Sequence, residues 1–168
     1  QNEPSGKFVI GAHPSVAIYA GAPLVKKIVN DYPKIEIDLR HGLSREVLEE
    51  VISGKVDFGL VVNAAHHPDL VIRTLCKDEV CFWQTTRGNA DVLIAHPGLS
   101  QTHSLLSRKE LKGRFLRTIY SENLEVIAAL ARSGVGVALL PTRVVQSQAP
   151  DLVALSGLPT FQDQLSFI

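Results

Sequence analysis

An α/β fold built as two lobes is what this sequence predicts, and three observations predict it. Strand-like and helix-like patterns alternate as β-α-β-α-β over residues 7–62 with short connections, which is the signature of a doubly wound, Rossmann-like lobe. A second set of strand and helix patterns occupies residues 92–141. Extended segments near Val80–Thr85 and again near Leu155–Ile168 join the two sets, implying two crossover segments. The composition permits such a core: 168 residues, 45% hydrophobic and 20% charged, are near globular averages.

The elements follow in order. Lys7-Phe8-Val9-Ile10-Gly11 is a short apolar strand. Ala17, Ile18, Leu24, Val25, Ile28 and Val29 fall near helical spacing, with a kink or restart expected at Pro23 and an end at Tyr32-Pro33. Residues 34–39 alternate with period two and read as a strand, and His41-Gly42 reads as a turn. Ser44 is the expected N-cap of a helix carrying Val47, Leu48, Val51 and Ile52, stopped at Gly54. Residues 55–62 form a nearly continuous apolar strand, as expected for one covered on both faces. Two strands are expected at 70–75 and 80–85, with Lys77-Asp78-Glu79 between them. Val92–Ala95 is a strand ending at His96-Pro97-Gly98, residues 108–111 are too short to assign, and 115–120 is a further strand. Ser121 is the expected cap of a helix bearing Leu124, Ile127, Ala128 and Ala131, closed by Gly134. Residues 135–141 form a buried strand stopped by proline, and the chain ends on a strand at 165–168. The expected organisation is a linker remnant at 1–6, lobe I at 7–80, lobe II at 81–158 and a return crossover at 159–168.

Charge and composition exclude several functions. Seventeen basic residues balance seventeen acidic ones, whereas a duplex-binding domain shows a basic excess; this fragment is not expected to hold DNA itself. No apolar stretch reaches the roughly 18–20 residues that span a bilayer. The chain opens Gln1-Asn2-Glu3-Pro4-Ser5-Gly6, shows no signal peptide and contains no Met, so it reads as a piece of a longer, cytoplasmic protein. Cys76 and Cys81 read as small buried apolar residues. A redox switch would need an accessible, low-pKa thiol beside a cation, for which Lys77 is the candidate.

Ligands of open α/β sheets gather beyond the carboxyl ends of the strands. The expected site is an inter-lobe cleft lined by His13 and Ser15, by Gly42, Leu43 and Ser44, by Val62 and Asn63, and by His96, Pro97, Gly98 and Ser100. Free backbone N–H groups at helix starts favour anions, so a carboxylate or similar small molecule is the expected ligand. Ser15 and Ser44 serve equally well as caps or turn formers. His13, His41 and His96 read as histidines beside turns or neutral donors rather than metal ligands, and no metal or cofactor is assigned. His66-His67 reads as a surface loop. No catalytic constellation appears: there is no Gly-x-Ser-x-Gly elbow or Walker loop, and Gly134-Val135-Gly136 lies in the wrong order for a dinucleotide fingerprint. Asp57 is placed inside the third strand, and Glu36 and Asp38 on a solvated face.

Four segments resemble the effector-binding domain of LysR-type transcription regulators. They are Lys7–Gly11 followed by Ser15, the stretch ending Tyr32-Pro33-Lys34-Ile35-Glu36-Ile37, the run Gly54–Leu60, and Ser121–Val126 with Ala131–Pro141, the last bearing Gly-x-Gly-apolar-Leu-Pro. The resemblance implies a fold like type II periplasmic binding proteins and a small-molecule effector held between the lobes. It implies promoter DNA bound by an upstream winged helix-turn-helix, absent here. It also implies homodimers or tetramers that pair through the helices around Leu24–Asp31 and Glu122–Ser133, and a closing helix beyond Ile168. The chain departs from the family at Ala22-Pro23, where Leu-Pro is common, and at Leu43, where a polar residue often follows the glycine. The alternatives are an extracytoplasmic solute-binding protein of the same fold and an enzyme on that fold, for which no acid–base machinery is visible.

Overall fold

The computed structural model describes residues 3–168. Gln1 and Asn2, part of the stretch read as a linker remnant, lie outside the described residues. The chain divides into two compact units, Gln1–Lys77 with Gln164–Ile168, and Asp78–Asp163. Two strands, β4 (Arg73–Gln84) and β9 (Phe161–Phe167), carry the chain from one unit to the other.

In the first unit, β1 (Gly6–Ala12), β2 (Ile35–His41) and β3 (Phe58–Val62) are parallel, in the order β2-β1-β3, and β9 runs antiparallel to β3. Three helical pieces, α1 (Pro14–Val16), a π-turn (Ala17–Gly21) and α2 (Ala22–Asp31), follow one another without a break. The kink expected at Pro23 is therefore displaced upstream. Pro23 has no N–H to give, and the Ala22 N–H reaches back to the Ala17 carbonyl in a wider turn that absorbs the mismatch. One face of the sheet packs Ala12, Leu60 and Leu165 against Val16 and the π-turn. The other packs Val61 and Ile168 against Val47 of α3 (Ser44–Ile52). The paired glycines Gly11 and Gly59 let α3 approach: a Cβ on Gly11 would stand 2.7 Å from Val47 Cγ1, and one on Gly59 3.0 Å from it.

The second unit orders its strands β4-β7-β5-β6, with β5 (Val92–Ala95) parallel to both β6 (Arg117–Tyr120) and β7 (Val137–Pro141), and the short β8 (Val153–Ala154) on β4. Val80 and Phe82 of β4 join Leu93, Ala95, Val137 and Leu139 beneath α4 (Ser100–Leu106), with Phe115 stacked on Phe82 at 5.9 Å between ring centroids. The alternate strand positions, such as Ile94, Ala138 and Leu140, are equally buried. The helices α5 (Leu124–Arg132) and α6 (Thr142–Gln148) pack against β7.

Several expectations are corrected. The strands expected at 70–75 and 80–85 are one strand, β4, because Lys77-Asp78-Glu79 contains no glycine or proline to break it and its acidic side chains find partners. Asp78 Oδ1 accepts from the Glu79 N–H at 2.8 Å and from the Arg143 N–H at 3.3 Å, capping α6, whose own N-cap position is Pro141. Burial, the larger influence, still holds the Asp78 carboxyl above its ordinary range. Glu79 accepts from Thr160 Oγ1 at 2.7 Å and from Gln162 Nε2. The strand expected at 55–62 begins only at Phe58. Asp57 lies outside it, and its Oδ2 takes the Val9 N–H at 2.7 Å. His41 ends β2 rather than starting a turn. Ser44 is not the cap of α3, which is Leu43. Ser121 does not cap α5 either; Asn123 does, its Oδ1 accepting from the Val126 N–H at 2.8 Å. Helices α4 and α6 are not foreseen, and neither is the 3-10 turn Lys109–Leu111.

Candidate functional site

The carboxyl ends of β1, β2 and β3 lie side by side because the three strands are parallel and in register, Ala12 opposite both His41 and Leu60. This brings the first-unit candidates into one rim. The Ala12 carbonyl accepts from the Gly42 N–H at 3.4 Å and from His41 Nδ1 at 3.2 Å, tying the first two loops together. Ser44 Oγ accepts from the Val62 N–H at 2.9 Å and ties the second loop to β3. Asn63 adopts φ 53° and exchanges two bonds with Gln164, its Oδ1 accepting at 2.9 Å and its N–H donating at 2.8 Å.

His13 and Ser15 are buried, at 8% and 3% exposure. His13 caps the helical run, its Nδ1 accepting from the Ser15 N–H at 3.3 Å, which leaves the ring proton on Nε2. Ser15 Oγ is enclosed and has no hydrogen-bond partner among the described residues. At α3 the free amides expected to attract an anion are partly used, because Glu46 Oε2 accepts from the Leu43 N–H at 2.7 Å. A carboxylate of the chain itself already sits at that helix start.

In the second unit His96, at 3% exposure, follows β5. Its Nδ1 accepts from the Gly98 N–H at 2.9 Å, closing the His96-Pro97-Gly98 turn. Burial pushes its pKa below the ordinary 6.5, against the opposing influence of the Glu122 backbone and charge. The folded state therefore favours the neutral ring. Stability from His96 is fully present above pH 6.5 and drains away as pH falls through the lowered folded value. Melting temperature measured from pH 7.5 down to pH 5 should fall more steeply for the wild type than for His96→Asn, which keeps the Gly98 acceptor but does not titrate. Parallel curves would rule out His96 as the source. Ser100 is exposed, and its Oγ reaches Gln101 Oε1 at 3.3 Å.

Sequence reading missed Gln101, Thr102 and Asp163, all buried polar residues of the second unit. Gln101 Nε2 bonds both carboxylate oxygens of Asp163 at 3.0 Å. The helix that places Gln101 is short and lacks a side-chain cap, so nothing in its sequence announced it. Among the described residues no group of three His, Cys, Asp or Glu side chains could hold a metal ion. Cys76 and Cys81 lie five residues apart on one strand, about 17 Å at ~3.3 Å per residue and on opposite faces. A disulfide needs Cα atoms within about 7 Å, so none forms between them while β4 stands. Burial first, then Glu79, pushes the Cys81 thiol up to about 11, so it carries no thiolate at neutral pH.

The family model for the LysR substrate binding domain matches residues 1–167. The chain belongs to the LysR substrate binding domain family. Relatives of this LysR domain include the HTH-type transcriptional regulator YeiE of Escherichia coli K12, 24% identical over 160 residues, covering 87% of the chain and 55% of the relative. The regulator YusT of Bacillus subtilis is 25% identical over 173 residues, covering 97% and 58%. The LysR domain thus spans little more than half the length of the curated relatives it matches. Among solved structures, the LysR-type regulator CrgA of Neisseria meningitidis superposes with a TM-score of 0.74 at 18% identity, covering 97% of this chain and 62% of that one. The cofactor-binding domain of the Cbl regulator gives a TM-score of 0.77 at 17% identity, covering 99% and 81%. The two-unit α/β fold is the LysR regulatory-domain fold, and the solute-binding-protein alternative is not favoured by these relatives.

Proposed function

We propose that this domain senses a small anionic effector through its strand-end loops and has no catalytic activity of its own. The observation that carries the reading is Ser15. An enclosed hydroxyl without a partner costs roughly 1–3 kcal/mol, and this one stands at the start of the helical run on the rim formed by Ala12–Ser15, residues 41–44 and Val62-Asn63. Such a cost is offset when a ligand supplies the missing acceptor. The carboxylate at the start of α3, Glu46, is committed to the Leu43 amide. The remaining side chains are His13, Ser15, Ser44 and Asn63, a set suited to an anion. His96, Pro97, Gly98 and Ser100 form the corresponding strand-end set of the second unit.

In the whole protein, effector binding shifts the population of conformations by favouring one of them. That shift alters how an N-terminal winged helix-turn-helix engages promoter DNA in a cytoplasmic homodimer or tetramer. No helix of the described residues is long and apolar enough to cross a membrane.

The test titrates the purified protein with a panel of small carboxylates and inorganic anions and reads thermal stability. A true effector at 100 times its Kd stabilises by about 2.7 kcal/mol. Ser15→Ala should melt at or above the wild-type temperature without ligand, because an unsatisfied hydroxyl is removed, and should lose most of the ligand-induced rise. An equal ligand response in Ser15→Ala, or no response to any anion, would sink the reading.

A further inference from the structure

We infer that the exposed cationic segment at residues 108–117 is a docking surface for a second copy of this chain, received by the carboxylate-lined groove beside α3. This inference stands apart from the effector reading, because the two surfaces share with the proposed effector rim only His41 and Gly42, at the groove's edge.

The chain is neutral, yet its charge is segregated. Residues 108–117 hold five of the seventeen cations, Arg108, Lys109, Lys112, Arg114 and Arg117, and one of the seventeen carboxylates, Glu110. The rest of the chain is correspondingly four charges negative. Among the described residues none of these five cations enters an ion pair. Only Arg114 is committed, to the Ala90 carbonyl at 3.1 Å and over the Phe115 ring at 5.1 Å. Backbone turns hold the others close despite their repulsion. The Lys112 N–H bonds the Lys109 carbonyl at 3.1 Å, and buried Leu111 anchors that turn. An acidic partner relieves the repulsion.

The apolar neighbourhood says which kind of partner. Leu116, at 79% exposure, sits between Arg114 and Arg117. An apolar side chain within a charged rim matches a protein surface better than a bare phosphate backbone. The chain itself offers the complement. A groove of about 480 Å³ in the first unit is lined by His41, Glu46, Glu49, Glu50, Ser53 and Lys55. Glu49 and Glu50 enter no ion pair among the described residues, and the exposed apolar side chain of Ile52 is next to Ser53. Unpaired carboxylates on one surface thus complement unpaired cations on another, on surfaces other than the α2 and α5 faces named by the resemblance.

Sedimentation velocity over a dilution series tests the inference. Self-association should weaken by about tenfold between about 20 mM and about 500 mM salt, as screened rim charges require. Lys109→Glu/Lys112→Glu and Glu49→Lys/Glu50→Lys should each weaken it about tenfold at low salt. An equimolar mixture of the two variants should recover wild-type association, because each reversed surface then meets its complement. Circular dichroism checks that both fold. If either does not, the neutral pairs Lys109→Gln/Lys112→Gln and Glu49→Gln/Glu50→Gln should flatten the salt dependence. A wild type that stays monomeric, variants that associate like it, or a mixture without recovery each overturn the inference. So does loss of duplex-DNA retention by Lys109→Glu/Lys112→Glu with self-association unchanged, which would assign the segment to nucleic acid.

Discussion

Gly136→Ala is expected to destabilise the Asp78–Asp163 unit by roughly 3 kcal/mol, at the upper end of ordinary overpacking costs. A Cβ at this position would stand 2.5 Å from the Val92 carbonyl oxygen and 3.0 Å from Val92 Cβ and Cγ1. The nearest atom belongs to the backbone of β5, so no side-chain rotation relieves the contact. Val92 heads the central strand between β6 and β7, and moving it disturbs pairing on both sides. The Gly-x-Gly motif that leads into β7 therefore keeps Gly136 for close approach between strands. Urea unfolding monitored by circular dichroism reads the effect. A variant within about 0.5 kcal/mol of wild type, the range of an ordinary surface substitution, would show that β5 and β7 can separate at little cost.

Phe82→Ala is expected to cost about 4 kcal/mol, within the range for deleting a buried aromatic side chain. Phe82 is 1% exposed, packs with Val80, Leu93, Val137 and Leu139, and stacks on Phe115. Strands are fixed on both sides of it, and Leu105 and Leu111 close the cavity from above. The walls have little freedom to collapse, so the loss comes from transfer and from the void together. Phe82→Leu keeps most of the volume and should cost less than half as much. Denaturant midpoints for the two variants decide it. Equal losses would mean that the aromatic stack, rather than filled volume, carries the stability.

The rim was legible in the sequence because it follows from strand direction. Parallel strands with short returns place every carboxyl-end loop on one edge, and the apolar patterns of residues 7–11, 34–39 and 55–62 located three of those strands. The polar interior of the second unit was not legible. Gln101 and Asp163 are 62 residues apart, and a bond across that separation leaves no local pattern. The remote cap that Asp78 provides for α6 is equally silent, since Pro141 at the N-cap position carries no capping side chain. Lys77-Asp78-Glu79 looked like a break between strands because three consecutive charges disfavour a buried strand. Distant partners for Asp78 and Glu79 offset part of that cost and let β4 run through.

Periodicity, proline and glycine by themselves determined that this chain alternates strands with helices in two sets, and four short segments in order pointed to its family. These are properties of neighbouring residues, written at spacings of two to four. Which amides remain open was decided only in three dimensions. Glu46 takes one at α3, Ser44 is turned from cap to tie, and Ser15 is left enclosed without a partner among the described residues. Hydrogen-bond satisfaction depends on what the fold brings within about 3 Å, and separation along the chain does not encode that distance.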